Sequence, residues 1–196
     1  MLFHKKPSGV DYLIVGLGNP GKKYERTRHN AGFMAIAALC EQTGIACTKR
    51  RFEGLTGNGT VAGQRCALLM PQTFMNLSGQ SVGQAMRYYG LSPDRCIILF
   101  DDVSLPVGKL RVRRAGSHGG HNGMRNIIDY CGGDGFPRVK IGVGGKPHEE
   151  MDLADHVLSR FRSDEWPAIE EAAKCAADAV VVMIKDGADQ AMARFN

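Results

Sequence analysis

Residues 13–33, LIVGLGNPGKKYERTRHNAGF, constrain this chain more than any other stretch. Leu13-Ile14-Val15 is a short apolar run that reads as a buried strand. Gly16, Gly18, Pro20 and Gly21 break it into a turn that holds Asn19. His29 and Asn30 close the segment, just before an apolar stretch of helical character. A rigid strand therefore delivers an amide and an imidazole to one end of a sheet. Binding and catalytic groups gather in such loops, and open α/β sheets hold ligands beyond the carboxyl ends of their strands.

Gly16-x-Gly18-x-x-Gly21 also fits the dinucleotide fingerprint, with Glu41 about 20 residues further on. That fingerprint needs a helix to begin among the glycines, so that its N–H groups meet a pyrophosphate. Pro20 pushes Asn19 out of the α region, and residues 22–28 show no apolar helical face. The dinucleotide reading is disfavoured.

The rest of the chain alternates strands and helices. Residues 11–15 form the first strand, and residues 31–43 a helix with Phe33, Ile36, Ala37 and Cys40 on one face, stopped by Gly44. Residues 45–52 and 60–69 read as two strands joined through the glycines at 54–59, and Pro71 stops the second. A polar loop over 72–78 carries Phe74 and Asn76. A helix over 79–89 turns Val82, Ala85, Met86 and Tyr89 inward. Ile97–Phe100 is the most apolar strand, with Asp101 and Asp102 directly after it. Strands over 109–113 and 139–143 bracket a glycine-rich loop and a helix over 124–131. A long amphipathic helix over 164–186 ends at Gly187, and a short tail helix follows. This order predicts a single-domain, three-layer α/β/α fold over residues 1–196, with a twisted, mostly parallel mixed sheet and one antiparallel hairpin. Residues 1–10 read as a loose leader.

At 196 residues the chain can bury a sizeable core. Its net charge of +5, with a pI near 8.9, suits a polyanionic partner. The six cysteines show no CxxC pairing and mostly sit in apolar neighbourhoods, which fits free thiols in a reducing cytoplasm. No run approaches the 18 apolar residues a transmembrane helix needs.

Three further motifs bear on chemistry. Asp101 and Asp102 could fix a histidine's tautomer and stabilise its imidazolium, although two acids after a strand are also ordinary turn residues. Residues 116–123, GSHGGHNG, let the backbone approach a ligand closely and offer His118, His121 and Asn122 at a helix start. The HxxH spacing raises a metal, but zinc wants three or four ligands and no cysteine cluster helps; helix capping is the plainer reading. Gly79-Gln80-Ser81-Val82-Gly83 matches GxSxG, yet no strand precedes it to form a nucleophile elbow. Lys109, Arg111 and Arg113 recur at period two, placing three cations on one strand face. Arg114, Arg138, Lys140, Arg28 and other basic residues extend that charge, a pattern suited to phosphate backbones without base readout.

The chain resembles bacterial peptidyl-tRNA hydrolases. The resemblance rests on GLGNPGKKYERTRHNAGF at 16–33, PQTFMNLSG at 71–79, DDVSLPVGKLRVRRAGSHGGHNGMRNI at 101–127 and RVKIGVGG at 138–145. It implies an esterase that cleaves peptide or N-blocked aminoacyl groups from tRNA, frees the tRNA for reuse, and needs no cofactor or metal. It implies His29 as the catalytic base, Asp101 as the acid that stabilises it, and Asn19 as the amide that senses a blocked amino group. Asn76 and Asn122 would hold the peptidyl ester and the tRNA end. Tyr24, Phe74 and His121 would line the tRNA site. Arg113 and Lys140 would grip the terminal phosphate; the second is Arg in the family, so Lys140 keeps the charge without the bidentate fork. Such a protein is expected in the cytoplasm as a monomer, with peptidyl-tRNA as its partner and no membrane. A non-catalytic RNA-binding protein on the same fold is the alternative, and the intact set of His29, Asp101, Asn19, Asn76 and Asn122 argues against it.

Overall fold

A computed structural model describes residues 9–196. Of the expected leader over 1–10, all but Gly9 and Val10 falls outside the described residues, and Val10 packs on the core. In chain order the elements are β1 (Tyr12–Gly16), α1 (Ala31–Thr43), β2 (Lys49–Arg51), β3 (Gly54–Val61), β4 (Gln64–Pro71), α2 (Ser78–Tyr89) and β5 (Cys96–Asp102). There follow β6 (Leu110–Arg113), α3 (Asn122–Cys131), β7 (Arg138–Gly142), α4 (Leu153–Leu158), α5 (Trp166–Asp186) and α6 (Ala188–Phe195).

The strands make one sheet in the order β2-β3-β4-β1-β5-β7-β6. The central four, β4-β1-β5-β7, run parallel. On one flank β3 pairs antiparallel with β4 and β2 antiparallel with β3; on the other β6 pairs antiparallel with β7. Central strands are apolar on both faces because each face meets helices. Ile14 and Leu99 point into the core shared with α1 and α5, whereas Leu13, Val15, Ile98 and Phe100 point into the core beneath α2 and α3. Gly44, Gly90 and Gly132 end α1, α2 and α3 in left-handed conformations that a Cβ would strain.

α1 lies against the sheet with almost no side chain between. A Cβ on Gly32 would stand 2.3 Å from the Leu99 carbonyl oxygen, and one on Gly16 would stand 2.2 Å from the Gly32 oxygen. His29 lies just before this contact, so the helix start that follows it is seated on the sheet backbone.

The glycines at 54–59 are not the expected hairpin connection: they lie within β3, and the turns fall at Phe52-Glu53 and Ala62-Gly63. The reason is close packing. A Cβ on Gly57 would meet the Ala46 oxygen at 2.3 Å, and one on Gly59 would meet the Ile45 side chain at 2.5 Å. The turns instead force Phe52, Glu53 and Ala62 to φ of 54°, 51° and 49°, the left-handed geometry that two-residue hairpins require. There are thus two antiparallel hairpins on this flank. All six cysteines are free, and no helix among the described residues is long and apolar enough to cross a membrane.

Candidate active site

β1 and β5 are adjacent and parallel, with Gly16 opposite Leu99. Their carboxyl ends deliver the two halves of the site. β1 runs on into the turn, where the Leu17 amide still pairs with the Leu99 carbonyl at 2.9 Å. Asn30 then clamps the turn: its Oδ1 accepts from the Asn19 amide at 2.8 Å and its Nδ2 donates to the Asn19 carbonyl at 3.0 Å. The Asn19 side-chain oxygen accepts from the Met75 amide at 2.9 Å, which ties the loop carrying Phe74 and Asn76 to the end of β1. Asn30 was visible in the sequence as the close of the segment, but nothing there showed that it locks Asn19.

His29 occupies a short 3-10 turn over Arg28–Asn30 that leads directly into α1. The turn is pinned by Arg28, whose guanidinium donates to the Val143 carbonyl at 2.7 Å and to Glu165 at 2.8 Å. Arg28 is therefore buried structure, not part of the basic surface its sequence position suggested. His29 Nδ1 lies 2.8 Å from Asp101 Oδ1. Burial alone would push the Asp101 carboxyl up, but the attraction and hydrogen bonds of His29 and His121 outweigh it and hold the pKa well below the usual carboxylate range. An ionised carboxylate only accepts, so His29 Nδ1 carries the proton and Nε2 of a neutral ring is left as an acceptor.

His121 reaches the same oxygen, with Nε2 2.9 Å from Asp101 Oδ1. Its Nδ1 accepts from the Met124 amide at 3.1 Å and so caps α3. His29, Asp101 and His121 place their donor atoms within 4.8 Å of one another. His118 is not in this group; its Nδ1 accepts from the Gly120 amide within the glycine loop.

Two hollows flank His29. Asn19, Tyr24, Phe74, Asn76 and Asn122 line one together with it. The other, a cavity of about 280 Å³, is lined by the glycine loop, His118, His121 and Lys140. Ala154 and Val157 of α4 border both. Sequence reading missed α4, a turn and a half too short to show a sustained periodicity. It is held by Asp152 at its N-cap and by a 2.8 Å contact between His156 Nε2 and the Gly144 carbonyl.

The cationic strand face is real but smaller than expected. Arg111 faces Lys140 and Arg113 faces Arg138 across the β6–β7 ladder, so all four side chains share one face. Arg138 is fully buried and donates to the carbonyls of Phe136, Ser117 and Asp134. Lys140 pairs with Asp102 at 3.0 Å. Arg113 borders neither hollow; Arg111 is the direct cross-strand neighbour of Lys140. Ser81 of the GxSxG match is buried in the first turn of α2, far from an elbow.

Comparison with known proteins agrees with this architecture. The family model described as peptidyl-tRNA hydrolase matches residues 13–196. A peptidyl-tRNA hydrolase of Agathobacter rectalis is 50% identical over 94% of this chain and 100% of its own length. One of Caldanaerobacter subterraneus is 50% identical over 94% of this chain and 99% of its own. A crystal structure of peptidyl-tRNA hydrolase from Acinetobacter baumannii superposes at a TM-score of 0.89, with 37% identity, over 96% of this chain and 97% of that one. These matches give the non-catalytic RNA-binding alternative no support. A family model spanning nearly the whole chain, relatives half identical along their full length and a shared fold together make this chain a member of the peptidyl-tRNA hydrolase family.

Proposed function

We propose that this chain hydrolyses the ester between peptide and tRNA with His29 as general base. The observation that carries the reading is the 2.8 Å contact between His29 Nδ1 and a buried, ionised Asp101, at a cleft lined with asparagines. His29 Nε2 takes a proton from water as the water oxygen attacks the ester carbonyl. The imidazolium, stabilised by Asp101, then returns the proton to the departing ribose oxygen of the tRNA. Base catalysis of this kind contributes about 10²–10⁴-fold. The side-chain amides of Asn76 and Asn122 and the N–H groups of the glycine loop are available to the developing oxyanion. Tyr24 and Phe74 offer rings to the terminal nucleotide, and Lys140 with Arg111 and Arg113 offers charge to phosphate. The protein acts as one domain, as a cytoplasmic monomer, without metal or cofactor.

The test is cleavage of an N-acetyl-aminoacyl-tRNA against the same tRNA with a free amino group, in EDTA, for wild type and His29→Ala. Selective cleavage of the blocked substrate is expected, with turnover lost in the variant and tRNA affinity kept. Near-normal turnover by His29→Ala, or activity that chelation abolishes, refutes the reading.

A further inference from the structure

We propose that His121 is a positioning residue for hydrolysis, acting through Asp101 rather than by binding the tRNA. The inference rests on the reading of His29 as base and adds a member to it. Both ring nitrogens of His121 are committed within the protein. Nδ1 accepts the Met124 N–H at 3.1 Å, so the ring proton must sit on Nε2. That Nε2–H points at Asp101 Oδ1, 2.9 Å away. No polar atom is left for a nucleotide, and the side chain is only 6% exposed.

One carboxylate oxygen therefore receives two N–H groups, from His29 at 2.8 Å and from His121 at 2.9 Å. No described residue donates a hydrogen bond to the other oxygen, Oδ2. A carboxylate held only by His29 could rotate about its terminal torsion, which is broad and two-fold, and so trade one oxygen for the other. The second donor removes that freedom. It also sets the two imidazoles 4.9 Å apart at 54°, while Phe100 supports the His121 ring with its centroid 4.8 Å away. His121 is in turn fixed by α3, because the amide it accepts belongs to that helix's first turn. The chain of control runs from the α3 N-terminus through His121 and Asp101 to the orientation of the His29 ring.

Capping and positioning are separable. In His121→Asn the shorter side chain still accepts from the helix amide, as asparagine commonly does at an N-cap, but its amide falls short of Asp101. For this variant we expect a thermal midpoint near wild type, KM for N-acetyl-aminoacyl-tRNA within about twofold, and kcat lowered about 10- to 100-fold. The His29 ring should keep its Nδ1–H tautomer, because Asp101 still accepts, but its Nδ1–H···Asp101 hydrogen bond should loosen, read as an upfield shift and broadening of the Nδ1 proton resonance. In the wild-type protein the His121 ring should be a single Nε2–H tautomer. Wild-type kcat in His121→Asn, a rise in KM with kcat kept, or a wild-type His121 protonated on Nδ1 would overturn the proposal. The spectra test it whether or not the wild-type protein cleaves ester, so they separate its failure from failure of the hydrolase reading.

Discussion

The Met75 amide occupies the side-chain oxygen of Asn19 at 2.9 Å, and this single bond fixes which way the Asn19 amide is turned. A backbone N–H can meet only the oxygen, so Nδ2 is the atom left to donate into the cleft. An NH2 group recognises an acceptor, such as the carbonyl of an acylated amino group, and has nothing to offer an ammonium.

Asn19→Asp keeps the acceptor for Met75 and replaces the donor by a charge that attracts ammonium. The ratio of kcat/KM for N-acetyl-aminoacyl-tRNA to that for free aminoacyl-tRNA should fall about 10- to 100-fold, as expected for losing a buried polar match. Parallel hydrolysis rates on the two substrates measure it; an unchanged ratio would remove Asn19 from discrimination.

Asp101 ties stability to pH. Its carboxyl is held below the unfolded value of 3.8, so the folded state binds fewer protons there than the unfolded state. The stabilisation is present in full above that value and is lost as pH falls through it toward the folded pKa. Urea unfolding of wild type between pH 6 and 3 should therefore show stability falling most steeply near pH 4 and below. Asp101→Asn, with no proton to gain, should give a flatter curve over the same range and a kcat/KM reduced by about 10²–10³ from the lost imidazolium partner.

Phe74 is 57% exposed at the rim of the cleft and supports no core. Phe74→Ala should leave stability within about 0.5 kcal/mol of wild type. Loss of a base-stacking surface should weaken substrate binding by about 1–3 kcal/mol. Thermal unfolding and KM measured on the same preparation test both halves, and a large drop in stability would assign the ring a packing role instead.

Lys140 must leave Asp102 before it can hold phosphate, since the two are paired at 3.0 Å. Asp102→Asn keeps an acceptor for Ser104, which bonds the same side chain, and releases the lysine. It should tighten tRNA binding, whereas Arg111→Ala and Lys140→Ala should each weaken it and flatten the dependence of log K on log salt by about 0.7–0.9. Titrations at several salt concentrations decide between a phosphate-binding face and a solvated one.

Much of this was legible in the sequence where local physics decides. The apolar run at 13–15, the bounds of the helix over 31–43 and its stop at Gly44 stand as read. The helix buries Ala35, Ile36 and Leu39 rather than the expected face of Phe33, Ile36, Ala37 and Cys40, and Ala37 is exposed, because the close seat at Gly32 turns the helix that way. The glycines at 54–59 were misread because a glycine needed for a turn and one needed for close packing look alike in sequence; the neighbours of Gly57 and Gly59 come from the segment after α1. Among site residues, His29 and Asp101 were placed by the segments that carry them. Their meeting, and the arrival of His121 at the same oxygen, depend on β1 lying beside β5 and on the α3 N-terminus reaching back over both. No spacing encodes that. The burial of Arg28 was hidden for the same reason, since the carbonyl and carboxylate that hold it come from Val143 and Glu165. Arg138 is held by the nearby carbonyls of Phe136 and Asp134 together with that of Ser117, which the sequence pattern does not mark.

The contact of Gly32 with the sheet backbone has a consequence for how this protein can change. Side chains absorb alteration by switching rotamer, but two main chains in contact have nothing to switch. The seat of α1, and hence of His29 just before it, is set by peptide groups. An apolar residue deeper along the helix, such as Leu39, tolerates exchange for another of similar volume as a lineage adapts to heat or cold. The choice of side chains along the helix is thereby insulated from the placement of its first turn, and a single methyl group at position 32 would unseat it.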